Sequence, residues 1–215
     1  MTGAQVRIWD LPTRLFHWAI VLLVPALWWT HKIDRLDLHI LLGETMMGLV
    51  LFRLIWGVIG SSTARFAGFV RGPGAVLRYL RGRAPAPFGH NPVGGWSAVL
   101  MLFLLAMQVG IGLFVSDEDA LNTGPLSHLI DYDSARILTE RHETVFYILL
   151  GAIGLHVAAI LYYLIVKRDN LVTPMVTGRR DAPAGDAAMI AAPLWRFLLA
   201  AALAAGLTWI VSNYL

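Results

Sequence analysis

The chain of 215 residues contains no cysteine. That excludes disulfides, iron–sulfur clusters, thiolate zinc sites and covalent C-x-x-C-H attachment of haem. Charge is also scarce. Only 14% of residues are Asp, Glu, Lys or Arg, against about 25% in soluble domains. There is no G-x-x-x-x-G-K, H-E-x-x-H or G-x-S-x-G motif, so phosphate-loop, zincin and hydrolase chemistry have no sequence support. The net charge of +3 and pI near 9.5 do not indicate nucleic acid. The basic residues cluster at the ends of apolar segments, as membrane orientation requires.

What the chain has in abundance is apolar sequence, 57% of residues with a mean hydropathy of +0.64. Five segments stand out: 14–30, 38–59, 93–115, 143–166 and 194–211. Each is close to the ~20 residues that a spanning helix needs. The first lacks a small-x-small cleavage site and carries His17 and several tryptophans, so it reads as a retained span. The expected fold is all-α. A transmembrane helical bundle occupies residues 1–180, a linker 181–193, and an additional C-terminal transmembrane helix 194–215.

Loop charge sets the orientation. Arg65, Arg71, Arg78, Arg81 and Arg83 lie between spans two and three with no acid among them, and Lys167, Arg168, Arg179 and Arg180 follow span four. Both regions belong in the cytoplasm. The link between spans three and four holds Asp117, Glu118, Asp119, Asp131, Asp133 and Glu140 against Arg136 and Arg141, and fits the outer side. The N-terminus is then expected on the cytoplasmic side and the C-terminus outside. Trp18, Trp28, Trp29, Trp56, Trp96, Trp195 and Trp209 near span ends match interfacial belts. The prolines and glycines of the Arg-rich link predict irregular chain, with a short surface helix around 74–79.

Two histidines give span four its meaning. His142 and His156 are fourteen residues apart. At about 100° per residue they lie within about 40° of one face, and at 1.5 Å rise they are roughly 21 Å apart. Such a helix carries one imidazole near each side of a ~30 Å core. His17 lies near the cytoplasmic end of span one, and His39 near the outer end of span two. Depth therefore pairs His17 with His156 and His39 with His142. Two axial imidazoles add no charge and give a six-coordinate haem iron suited to electron transfer. Zinc would lack ligands at two per site. His31, His90 and His128 read as solvated or structural, with His90 shaping the entry into span three, and Met46, Met47, Met101 and Met107 read as packing.

Supporting residues follow the same logic. Gly43, Gly48, Gly110, Gly112, Gly151 and Gly154 suit either the approach of a flat macrocycle or close helix packing. Arg14 and Arg53 on the inner side, and Arg35 and Arg141 on the outer, are candidate partners for haem propionates. Arg53, inside the apolar run LVLFRLIWG, also suits a quinone.

The segment RHETVFYILLGAIGLHVAAILYY, with RLFHW in span one and GHNPVGG before span three, resembles the prokaryotic cytochrome b561 family over roughly residues 7–180. That family includes the b-type cytochrome subunits of nickel-iron hydrogenases. The resemblance implies a four-helix bundle with two non-covalent b haems, one on His17 and His156 and the other on His39 and His142. It also implies electron transfer across the membrane between a periplasmic c-type cytochrome or hydrogenase-like enzyme and the quinone pool. Two other readings compete: a superoxide:quinone oxidoreductase, which needs a positive patch from Lys32, Arg35 and Arg141, and a non-redox membrane anchor. Expected partners are membrane lipid, quinone and the periplasmic redox protein, with a homodimer left open and nucleic acid excluded.

Overall fold

A computed structural model describes residues 4–83, 89–116, 123–182 and 188–214. Asp117, Glu118 and Asp119 of the acidic link, residues 183–187 of the expected linker and the terminal Leu215 lie outside the described residues. The elements run β1 (Ala4–Arg7), α1 (Leu11–Lys32), α2 (Leu36–Ile59), α3 (Phe66–Phe69), α4 (Pro73–Leu80), α5 (Pro92–Gly112), α6 (Tyr132–Ile165), α7 (Val172–Thr177), β2 (Arg179–Ala182) and α8 (Leu194–Tyr214). Among the described residues five helices, α1, α2, α5, α6 and α8, are long and apolar enough to cross a membrane. The chain is an all-α multi-pass membrane protein.

Local signals set the helix starts. Asp10 caps α1, its Oδ1 accepting from Thr13 N at 2.9 Å, with proline in the first turn. Asn91 caps α5 in the same way, again ahead of a proline. A side-chain acceptor satisfies an orphan amide, and proline tolerates the first turn because its N–H is not needed there. Asp131 caps α6 through Ser134 N. This helix begins at Tyr132, eleven residues before the apolar segment does. Its 34 residues span about 51 Å, so the turns holding Asp133, Arg136, Glu140 and Arg141 rise beyond a ~30 Å core.

A core of Phe16, Met46, Val50, Leu102, Leu104, Leu105 and Leu149 joins α1, α2, α5 and α6. The close helix pairs are α1 with α2, α2 with α5, and α5 with α6. Helix α6 does not pack closely on α1 or α2. Helix α8 lies along α2 through Ala200 and Trp56 at one end and Thr208 beside Gly48 further along. Gly48 thus serves helix packing: a Cβ there would come within 3.2 Å of Thr208 Oγ1.

A two-stranded antiparallel ribbon, β1 with β2, joins the N-terminal segment to the chain after α7. The apolar-segment reading gave no sign of it, because four-residue strands carry no periodicity to detect. The short surface helix of the Arg-rich link is present as α4. Its surroundings form the arginine end of the bundle. The opposite end, where α1 turns into α2 and α5 leads to α6, is the acid end.

Candidate haem-binding histidine pairs

At the acid end His39, in the first turn of α2, and His142, in α6, have ring centroids 6.3 Å apart with planes at 79°. Two imidazoles on opposite sides of one metal ion, with bonds of about 2 Å and about 1.2 Å from each nitrogen to its ring centre, give about 6.4 Å. The observed separation matches. His39 Nδ1 donates to the carbonyl oxygen of Leu27 at 2.9 Å. That bond fixes the tautomer and leaves Nε2 as the free lone pair, the usual way an outer partner prepares a ligating histidine. His142 is held from α5: a Cβ on Gly112 would come within 2.9 Å of its Cε1, so only glycine lets the ring sit there. His31, set aside in the sequence, stands 6.0 Å from His39 by ring centroid on the exposed side.

At the arginine end His17 of α1 and His156 of α6 lie within electrostatic range of each other. His17 Nδ1 and His142 Nδ1 are buried without a hydrogen-bond partner among the described residues. The space between α6 and the α1–α2 pair is what a flat macrocycle would need. Gly43, Gly110, Gly151 and Gly154 face open space. The four histidines, placed in two pairs across a seam without close helix packing, therefore fit b-type haem.

The arginines divide. Arg53 is buried, only 6% exposed. It stacks over the Phe66 ring at 5.1 Å and leaves one guanidinium nitrogen without a partner. Arg14 is bonded to the Val176 carbonyl of α7. Arg35 pairs with Asp37 at 2.9 Å on the surface, and Arg141 is exposed. Arg53 is the most buried of the four, and Arg14 likewise keeps one buried nitrogen, Nε, without a partner among the described residues.

Two residues were passed over in the sequence. His90 packs edge-on to Trp9, with centroids 4.6 Å apart, and against Phe69 at 4.5 Å, with its Nδ1 unpartnered. Burial first, then the charges of Arg53 and His156, push it down to about 4, so it is neutral at pH 7. It borders the inner pair, whereas the sequence reads it as shaping the entry into span three. Glu44 sits in α2 one turn before Gly48, on the face toward α8, with no hydrogen bond or ion pair among the described residues. An acid inside a span was the signal that could have found it.

The family model described as prokaryotic cytochrome b561 matches residues 8–178. That range takes in all four histidines and stops short of α8. No curated protein and no solved structure matches the chain.

Proposed function

The chain belongs to the prokaryotic cytochrome b561 family, membrane b-type cytochromes that transfer electrons, and we propose that it carries electrons across the bacterial inner membrane between a periplasmic redox partner and the quinone pool. In this reading His39 and His142 hold one b haem and His17 and His156 a second. Haem supplies one-electron redox chemistry at each pair. The protein's part is placement. Helix α6 carries one ligand of each pair roughly 21 Å apart, so a single rigid element sets the separation of the two sites. Leu27 orients His39 through its carbonyl, Gly112 admits His142, and apolar side chains of the four helices exclude water.

The observation that carries the reading is the 6.3 Å separation of His39 and His142 across a seam where α2 and α6 do not pack. Arg53 and His90 sit beside the inner pair with unpartnered nitrogens. They suit the anionic edge of a haem there, or a quinone carbonyl. The arginine end is cytoplasmic by its charge. A superoxide oxidase is the less favoured reading, because Arg35, one of the three cations it needs, is neutralised by Asp37.

The purified protein is expected to show a b-type absorption spectrum with about two haems per chain. A colourless protein would end the haem reading. One whose reduced haem is not reoxidised by quinone would end the quinone branch while leaving the haem assignment intact.

A further inference from the structure

Helix α4 serves no histidine pair, yet it is firmly placed. The Tyr79 hydroxyl meets the Tyr163 hydroxyl of α6 at 2.7 Å, and Asn91 Nδ2 donates to the same Tyr163 oxygen. The side of α4 next to α5 is apolar. Pro73, Val76, Leu77 and Leu80 line an open groove of about 470 Å³ whose far wall is Trp96 of α5. Leu77 and Leu80 are 47% and 66% exposed. Trp96 is fixed from behind, its Nε1 donating to the Arg71 carbonyl at 2.7 Å. These five side chains are apolar but for the Trp96 Nε1, which is already engaged by Arg71, and they suit a hydrocarbon chain better than a ring carbonyl.

Arginines follow the groove residues closely along the chain. Arg78, Arg81 and Arg83 are exposed and make no side-chain hydrogen bond or ion pair among the described residues. The whole link from Gly60 to Asn91 contains no acid. An amphipathic helix with leucines on one face and arginines beside them lies in the membrane interface, and arginine clusters there attract anionic lipid. Guanidinium also binds phosphate through paired N–H donors.

We propose that this groove is a binding site for one anionic glycerophospholipid, with an acyl chain against Pro73, Val76, Leu77, Leu80 and Trp96 and its phosphate held by Arg78 and Arg81. The lipid then joins α4 to α5, as the Tyr79–Tyr163 contact joins α4 to α6. The assignment does not depend on the direction of electron flow or on the quinone.

The test uses the full-length protein, stripped of lipid in detergent and re-supplied with phosphatidylglycerol, with phosphatidylcholine of the same acyl chains, or with inorganic phosphate alone. Native mass spectrometry counts retained lipid, and thermal melting reads its effect. Phosphatidylglycerol should be retained about tenfold better than phosphatidylcholine and should raise the melting temperature. The R78Q/R81Q variant should lose that preference, and Leu80→Ser, at an exposed position, should weaken retention of both lipids. Helix content by circular dichroism checks that both variants fold. Equal retention of the two lipids by the wild type, or an undiminished preference in R78Q/R81Q, would overturn the proposal. So would stabilisation by phosphate alone that matches phosphatidylglycerol.

Discussion

At the arginine end, short elements lace the helix tips together, whereas at the acid end the contact seen between the tips of α2 and α6, among the described residues, is that of His39 with His142. Asp10 caps α1 and accepts from Trp56 Nε1 of α2 at 2.9 Å. Thr63 bonds the Ile8 carbonyl, β1 pairs with β2, and Ser61 and Ser62 hold the chain leading into α8. Among the described residues the acid end has one surface ion pair, Arg35 with Asp37, the His39 bond to the Leu27 carbonyl, turn bonds such as Leu126 N to the Leu113 carbonyl, and the reciprocal contact of Thr139 with Ser116. Buried hydrogen bonds in a low-dielectric setting hold geometry well, while an exposed ion pair contributes little. The arginine end is therefore expected to keep its shape better than the acid end when its histidine pair is emptied. The acid end depends far more on what joins His39 to His142.

The largest effect should come from the ligands themselves. Replacing His142 with Ala should lower haem content from about two to about one per chain and loosen the acid end, seen as faster amide exchange in the first turns of α2. His156→Ala should also remove one haem but leave exchange at the arginine end nearly unchanged. Equal loosening of both ends would break the comparison, and loss of the same haem in both variants would break the pairing.

Next in size is Gly112→Ala. Its Cβ would sit 2.9 Å from His142 Cε1, and overpacking of this kind costs about 1–3 kcal/mol. Only the outer site should respond, with lowered haem occupancy by pyridine haemochrome assay. Gly48→Ala meets the flexible hydroxyl of Thr208 at 3.2 Å instead and should leave haem content unchanged.

These contrasts also mark what could be read from sequence. The spans, the two depths and the four histidines were legible, because apolar length and a fourteen-residue spacing are local properties of the chain. The lacing at the arginine end was not. Asp10 to Trp56 and Tyr79 to Tyr163 join residues far apart in sequence, and nothing local marks either partner. His90 was hidden for the same reason: its environment is made by Trp9 and Phe69. The early start of α6 was missed because its first turns are polar, which a search for apolar length passes over. Of the four candidate arginines, burial singles out Arg53, and burial is not visible in a sequence.

His90 gives the comparison a pH axis. Its folded pKa, about 4, lies below the ordinary 6.5, so the unfolded state binds the proton more readily. The stability it contributes is present above pH 6.5 and is lost as pH falls toward 4. The wild type should lose roughly 5 °C of melting temperature across that window relative to His90→Phe, which keeps the stacking on Phe69 without a titrating group. The inner haem should be released first on acidification. Arg53→Gln should have a smaller effect, confined to the inner site. Removing a buried cation disfavours the reduced state, lowering the inner midpoint potential by about 59 mV, equivalent to about 1.4 kcal/mol, in a spectroscopic redox titration. A matching shift at the outer pair would show that the two ends are not electrostatically separate.

The smallest effect concerns the clasp between α4 and α6. Burial, then the hydrogen bond to Tyr163, pushes the Tyr79 phenol up to about 12. A raised folded pKa means that the neutral form is favoured in the native state, so the contribution is intact below pH 10 and lost as pH rises from 10 toward 12. Tyr79 is partly exposed, so screening keeps this term small. Tyr79→Phe removes the hydroxyl that meets Tyr163 while Asn91 still donates to it. The variant should melt within about 1 kcal/mol of wild type at pH 7, lose the alkaline dependence between pH 10 and 12, and keep both haems. If haem were lost at neutral pH, α4 would be part of the frame that holds the inner pair, and the arginine end would be less redundant than its many hydrogen bonds imply.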